Sequence, residues 1–401
     1  MQLVYSFGLT AVAPFGTFPA AYVQVNYQMQ RARQKKSTTQ LIVQPGDGIE
    51  PLLKGIAGAK SGIDILIFRF DRKEIEEALI AAVHRGVVVR ALIAWTNRGG
   101  ERFLRELEAR LLAAGVLVAR TATDLVRYHG KMMVVDRRTL YVLAFNFTRL
   151  DIDRSRSFGI ITRTPALVRE ATRLFEADTT RQPYTPACAC FLVSPLNSRD
   201  ALAGFIAGAT KSLDIYDPGL RDREMVRVLD NRAAAGVEIR VLGKFRKGSA
   251  DIPSHFLTEP RLHARVIVRD GKEVFIGSQS LRAIELDGRR EVGLIVKDRG
   301  IAERVAKVFQ QDWKAMAELP AASAEDISGE RLARKVAKAI SRELPPVADV
   351  VQSIATEMTG RSAELSVDAE ALEESVRDAV KSAVREVIEE AALSAAMFQY
   401  S

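Results

Sequence analysis

Apolar and polar positions along the chain change period in a fixed order. Residues 61–92 read SGIDILIFRFDRKEIEEALIAAVHRGVVVRAL: an apolar run, apolar positions at three- and four-residue steps, a glycine, and a β-branched run. That order predicts a strand, an amphipathic helix, a turn and a second strand. Residues 211–242, KSLDIYDPGLRDREMVRVLDNRAAAGVEIRVL, repeat it at a constant shift of 150. Asp64 matches Asp214, Ile65 matches Ile215 and Glu74 matches Glu224; Gly86, Arg90 and Leu92 match Gly236, Arg240 and Leu242. A βαβ unit of this kind favours a parallel sheet covered by helices.

Both copies run on into three further strands, at 131–136, 140–147 and 158–162 in the first and at 265–270, 273–278 and 291–298 in the second. The shift here is 134, so the second copy lacks 16 residues where the first holds the charged helical segment 100–115. Helices at about 165–178 and 300–318 close the copies. The chain therefore reads as α/β, a tandem duplication over residues 41–183 and 184–320. Two such units are expected to pack their sheets together about a pseudo-two-fold axis.

The flanks differ in kind. The first 30 residues hold no charged side chain and are interrupted by Pro14 and Pro19. Without a basic n-region, residues 1–40 read as a disordered leader rather than a secretory signal. Residues 321–401 hold 15 acidic and 9 basic side chains, with breaks at Pro345, Pro346 and Gly360. There Leu372, Val376, Val380, Ala383, Val387 and Ala391 form an apolar stripe on an acidic helix. This helical tail is expected to pack on the body or on a second copy of the chain, and to be dispensable for chemistry. No run reaches the ~18 apolar residues of a membrane span. The expected location is the cytoplasm or the periphery of a membrane.

Charge sharpens the picture once divided. The net +8 separates into +14 over the first 320 residues and −6 over the tail. A basic body points to an anionic partner: nucleic acid, an acidic lipid surface or a phosphorylated substrate. Two cysteines, Cys188 and Cys190, exclude a disulfide framework, and a lone CxC is a weak metal signal.

Two of the four histidines occupy the same place in each copy. YHGKMMVVDRRTLYVLAFN gives His129, Lys131, Asp136 and then Asn146; LHARVIVRDGKEVFIGSQS gives His263, Arg265, Asp270 and then Ser278 and Ser280. Each copy thus reads H-x-(K/R)-x4-D, six residues, then a four-residue block. Strand alternation puts the histidine and the cation on one face. Two histidines in register, each with a cation at i+2, are not explained by packing alone.

This arrangement resembles the phospholipase D superfamily, whose signature H-x-K-x4-D-x6-G-S-x-N occurs twice in most members. The resemblance covers about residues 41–318. It implies one active site between the halves, in which one histidine attacks phosphorus to give a phosphohistidine and the other protonates the leaving alcohol, with no metal or other cofactor. Imidazole suits both roles, and cations with amide or hydroxyl donors suit the charge that gathers on the phosphoryl oxygens. His129, Lys131, Asp136, His263, Arg265 and Asp270 are the implied catalytic set, with Asn146 and Ser278 as phosphate ligands.

The departures are specific. Arg265 replaces lysine, Leu143 and Ala144 replace the first Gly-Ser, and Ser280 replaces the second asparagine. Glu291 matches an acidic position the family often has downstream, while its counterpart in the first half is Ser157. A carboxylate would orient an imidazole and raise its pKa. Glu291 is therefore expected to serve His263 as general acid, leaving His129 as nucleophile, although Glu291 could instead reach across to His129. The implied substrate is a phospholipid or another phosphodiester. The alternatives are a metal-independent nuclease and a decayed module that only binds phosphate.

Overall fold

The computed structural model describes residues 38–95, 101–245, 248 and 250–318; most of the leader and the whole of the acidic tail lie outside them. In the first half the strands are β1 (Thr39–Gln44), β2 (Gly62–Ile67), β3 (Val88–Ile93), β4 (Leu117–Arg120), β5 (Arg127–Tyr128), β6 (Met132–Val135), β7 (Thr139–Leu143) and β8 (Ser155–Thr162). Its helices are α1 (Glu50–Ala57), α2 (Lys73–His84), α3 (Glu101–Ala113), α4 (Arg149–Asp153) and α5 (Pro165–Thr180). The second half supplies β9 (Phe191–Val193), β10 (Ser212–Leu220), β11 (Glu238–Phe245), β12 (Ser254–His255), β13 (Arg261–Leu262), β14 (Val266–Arg269), β15 (Glu273–Gly277), β16 (Arg289–Arg290) and β17 (Val292–Val296). Its helices are α6 (Ser198–Ala207), α7 (Arg223–Ala234), α8 (Ala283–Asp287) and α9 (Arg299–Ala317).

The strand orders are the same when matched through the repeat: β4-β3-β2-β6-β7-β8-β1 in one sheet and β12-β11-β10-β14-β15-β17-β9 in the other. Along these two orders the βαβ strands and their outer neighbours pair parallel, and the strands that follow return antiparallel. The matched Asp and Arg of the sequence repeat are cross-strand partners. Asp64 takes the Arg90 guanidinium at 2.6 Å, and Asp214 takes Arg240 at 2.9 Å. Pairing offsets the desolvation of these largely buried carboxylates, whereas removing one partner would leave a charge uncompensated.

Alternation along the strands divides the core. Ile63, Ile65 and Ile67 of β2 face α1, α2 and α3, and the corresponding side chains of β10 face α6 and α7. The opposite faces of both sheets join α5 and α9 in one shared core that runs through Leu66, Met132, Val134, Val266, Val268 and Ile276. The 16-residue difference is the helix α3, for which the second half has no counterpart among the described residues.

The expected strand at 140–147 ends at Leu143. Beyond it the chain leaves the sheet and enters the short helix α4, where Thr148 caps the Asp151 N–H. The matching segment of the second half enters α8. Cys188 and Cys190 are free thiols on the connection between the halves.

Two short pairings cross between the halves. β5 runs parallel to β16, and β13 runs parallel to β8, at positions related by the 134-residue shift. Each half thus lends the dipeptide just before its histidine to the other half.

Candidate active site

The crossed pairings place the histidines. The His129 N–H donates to the Arg290 carbonyl at 2.7 Å, and the His263 N–H donates to the Arg156 carbonyl at 3.0 Å. Gly130 lets the first of these segments lie close: a Cβ there would stand 2.9 Å from Val292 of the opposite half. The His129 imidazole is buried and that of His263 is 14% exposed, and the charges of Lys131 and Arg265 act on both of them. The structure therefore brings the two motifs into one site.

Each cation at i+2 folds back on its own histidine. Lys131 Nζ donates to the His129 carbonyl at 2.6 Å, and Arg265 lies 3.5 Å from the His263 carbonyl. Arg265 Nε is buried without a hydrogen-bond partner, a donor available to an anion. Burial pushes the Lys131 ammonium down to about 7.

Of the two partners open to Glu291, the structure gives it His129. Glu291 does not serve His263: both of its oxygens lie at 2.9–3.0 Å from His129 Nδ1, and it is fully buried. With Nδ1–H donating to Glu291, Nε2 of His129 is left with its lone pair. Burial, reinforced by Lys131 and Arg265, holds His129 well below the ordinary histidine value, so it rests as a neutral imidazole. The Phe68 ring stands edge-on to it, with centroids 4.5 Å apart.

His263 instead faces Asp151 of α4, 3.5 Å from Nδ1. Burial depresses this histidine too, and outweighs the opposing charge of Asp151. A bound phosphodiester would bring a further negative charge beside it and favour the imidazolium.

Asn146 and Ser278 join these pairs crosswise. Asn146 Nδ2 and its backbone N–H donate to Asp151 at 2.7 and 2.9 Å. Ser278 exchanges hydrogen bonds with the Val292 backbone and reaches the Glu291 carboxylate. His129 is thus served by Glu291 and Ser278 of the second half, and His263 lies beside Asp151 and Asn146 of the first.

Asp136 and Asp270 lie elsewhere, bonded to backbone turns. Each begins a turn with φ of 53° and accepts three successive backbone N–H groups, from Lys60, Ser61 and Gly62 or from Thr210, Lys211 and Ser212. Five residues of extended chain separate Asp136 from Lys131, about 16 Å. These aspartates fasten the β6 and β14 turns to the starts of β2 and β10.

Sequence reasoning missed Asp151, Glu285, Arg261 and Phe68. Asp151 and Glu285 are related by the same 134-residue shift as the histidines, and that regularity could have found them. Glu285 accepts the Ser280 N–H at 2.8 Å and lies 3.9 Å from Arg265. Among the described residues no group of three or more His, Cys, Asp or Glu is arranged to hold a metal ion.

The domain model described as "Cardiolipin synthase, PLD-like domain" matches residues 52–179 and 202–313, one segment in each half. The mitochondrial cardiolipin hydrolase of Danio rerio is 31% identical over 130 residues, 31% of this chain and 56% of that protein. The chain thus spans little more than half the length of that relative. A polyphosphate kinase from Porphyromonas gingivalis superposes with a TM-score of 0.59 at 20% identity, over 75% of this chain and 54% of that one. The phosphatidylserine synthase of Haemophilus influenzae Rd KW20 gives 0.52 at 10% identity, over 73% and 90%. At these identities the two structures show a common fold. The domain match spans both halves, and the histidines it brings with it sit in one shared site; the chain belongs to the phospholipase D superfamily, in the group that shares the cardiolipin synthase PLD-like domain.

Proposed function

We propose that the protein is a phosphodiesterase or phosphatidyltransferase acting on phospholipids through a covalent phosphohistidine. The observation that carries this reading is the crossed pair of imidazoles, with Glu291 behind one, Asp151 beside the other and two cations between the motifs. His129 Nε2 attacks phosphorus while the bond to the leaving alcohol breaks, and His263 gives that oxygen its proton. Water or a second alcohol then loses a proton to His263 and attacks phosphorus, and the P–N bond breaks. Lys131 and Arg265 offset charge on the phosphoryl oxygens. With cations in that role, the reaction needs no metal.

The cardiolipin synthase domain match and the cardiolipin hydrolase relative support a lipid substrate over DNA. Among the described residues no helix is long and apolar enough to cross a membrane. The test offers purified protein phosphatidylcholine and phosphatidylglycerol vesicles, plasmid and single-stranded DNA, all in EDTA. Release of the headgroup alcohol, or transfer to an added alcohol, is expected from lipid. DNA cleavage that falls steeply with salt, without lipid turnover, would identify a nuclease. Binding without turnover of any of them would identify a phosphate-binding module, and activity lost in EDTA but restored by a divalent ion would contradict the metal-free mechanism.

A further inference from the structure

We propose that Asp151 is the positioning residue of His263, standing in for the carboxylate that the first half lacks at Ser157. The assignment rests on the phosphohistidine reading above, with His263 as the proton donor.

The argument begins from the pseudo-symmetry. Glu291 heads β17 and orients His129 of the opposite half. Its counterpart Ser157, on β8, stands before His263 of the opposite half, but its hydroxyl donates to the His263 carbonyl at 3.0 Å and offers the ring no charge. His263 Nδ1 is buried with no hydrogen bond of its own, a condition that a nearby acceptor relieves. The acceptor it faces is Asp151 Oδ2 at 3.5 Å, and catalytic contacts that are long in an unliganded site commonly tighten with substrate bound.

Asp151 is built for this position. Its Oδ2 is fixed by both amides of Asn146, and its Oδ1 by Arg261 of the opposite half. Burial alone would raise its pKa, but His263, Asn146 and Arg261 together hold it below the ordinary carboxylate range, so it stays ionised beside the ring. Its counterpart Glu285 is aimed at Arg265 instead. The same helical position therefore serves a histidine in one half and a cation in the other. The charged groups acting on His263 are Asp151, Arg265, Arg261 and Lys131, and among these only Asp151 favours the imidazolium.

The test uses the full chain and three variants: Asp151→Asn, Ser157→Asp and the two combined. Two phosphodiesters share a phosphoryl half, one leaving as p-nitrophenolate and the other as an alkanol. Only the alkanol needs a proton from His263. Asp151→Asn is expected to slow the single-turnover release of the leaving group by roughly 100-fold on the alkanol diester and by less than ~10-fold on the nitrophenyl diester, while the later loss of the phosphoryl group slows equally for both. Adding Ser157→Asp should recover much of the alkanol rate. Equal losses of leaving-group release on both diesters without recovery would mean a structural role and overturn the assignment.

A wild-type chain that turns over neither diester would defeat the reading of the site itself, and imidazole nitrogen NMR then decides the role of Asp151. Only four histidines need assignment. Asp151→Asn should lower the pKa of His263 and weaken its Nδ1–H tautomer while leaving His129 unchanged. Should that variant not fold, Ser157→Asp alone should raise His263. A His263 signal indifferent to the variant measured refutes the proposal.

Discussion

The two halves meet the same requirement with different side chains. The first keeps lysine beside its histidine and contributes Asn146 and Asp151; the second has arginine there and contributes Ser278 and Glu291. Where the second has Gly277 and Ser278, the first has Leu143 and Ala144, and where the first has Asn146, the second has Ser280. These losses are complementary because the supporting groups act across the interface. Glu291 is bonded to His129, and Asp151 lies beside His263. A site built about a pseudo-two-fold axis needs each imidazole to be supported once, from the far side, and not that each half hold a complete set.

The comparison breaks most sharply at the histidines. His129→Ala should abolish turnover, by ~10⁴-fold or more, on every diester, because the nucleophile is gone. His263→Ala should retain attack on a nitrophenyl diester and accumulate an acid-labile, alkali-stable phosphoryl adduct. Quenching and peptide mapping should place that adduct on His129. An adduct on His263 that survives His129→Ala would reverse the two roles.

Next in size is Glu291→Gln. Removing the charged acceptor from Nδ1 frees the tautomer of His129, and kcat should fall by ~10²–10⁴-fold on both leaving groups. A loss confined to the alkanol diester would mean that Glu291 serves the proton donor instead.

Lys131→Met tests the first half's cation against Arg265 of the second. The loss of one donor to the phosphoryl oxygens should lower kcat by roughly 10²-fold. Stability should move the other way. Burial lowers the folded pKa of Lys131 from 10.5 to about 7, so between those values the unfolded chain binds the proton and the folded chain does not. Wild-type stability from this group therefore rises with pH across that window. The methionine variant should be more stable than wild type below pH 7, by several kcal/mol, and the gain should vanish as pH approaches 10.5. Urea titrations at pH 6 and pH 9.5 measure the difference.

The smallest effect on chemistry belongs to the motif aspartates. Asp136→Asn leaves three backbone N–H groups with a poorer acceptor and should cost about 1–3 kcal/mol of stability. The kcat of the folded fraction should stay within a few-fold of wild type. A large fall in kcat at unchanged stability would restore Asp136 to the chemistry.

Much of this protein was legible in its sequence alone. Local periodicity and the two shifts determined the strands, the covering helices and the duplication, because side-chain period reports which face of an element is buried. The matched Asp and Arg, the closing helices and the absence of α3 from the second half were visible in the same way. The histidines and their cations were legible because their spacing is held in two copies. What acts across the interface was not, beyond the alternative left open for Glu291. That Glu291 turns to His129, that Asp151 stands beside His263 and that Asp136 and Asp270 point away into backbone turns were decided by the exchanged strands β5 and β13 and by the chain leaving the sheet after Leu143. A one-dimensional motif records which residues are near in the chain, whereas a carboxylate orients the imidazole that packing brings to it, here one more than a hundred residues away.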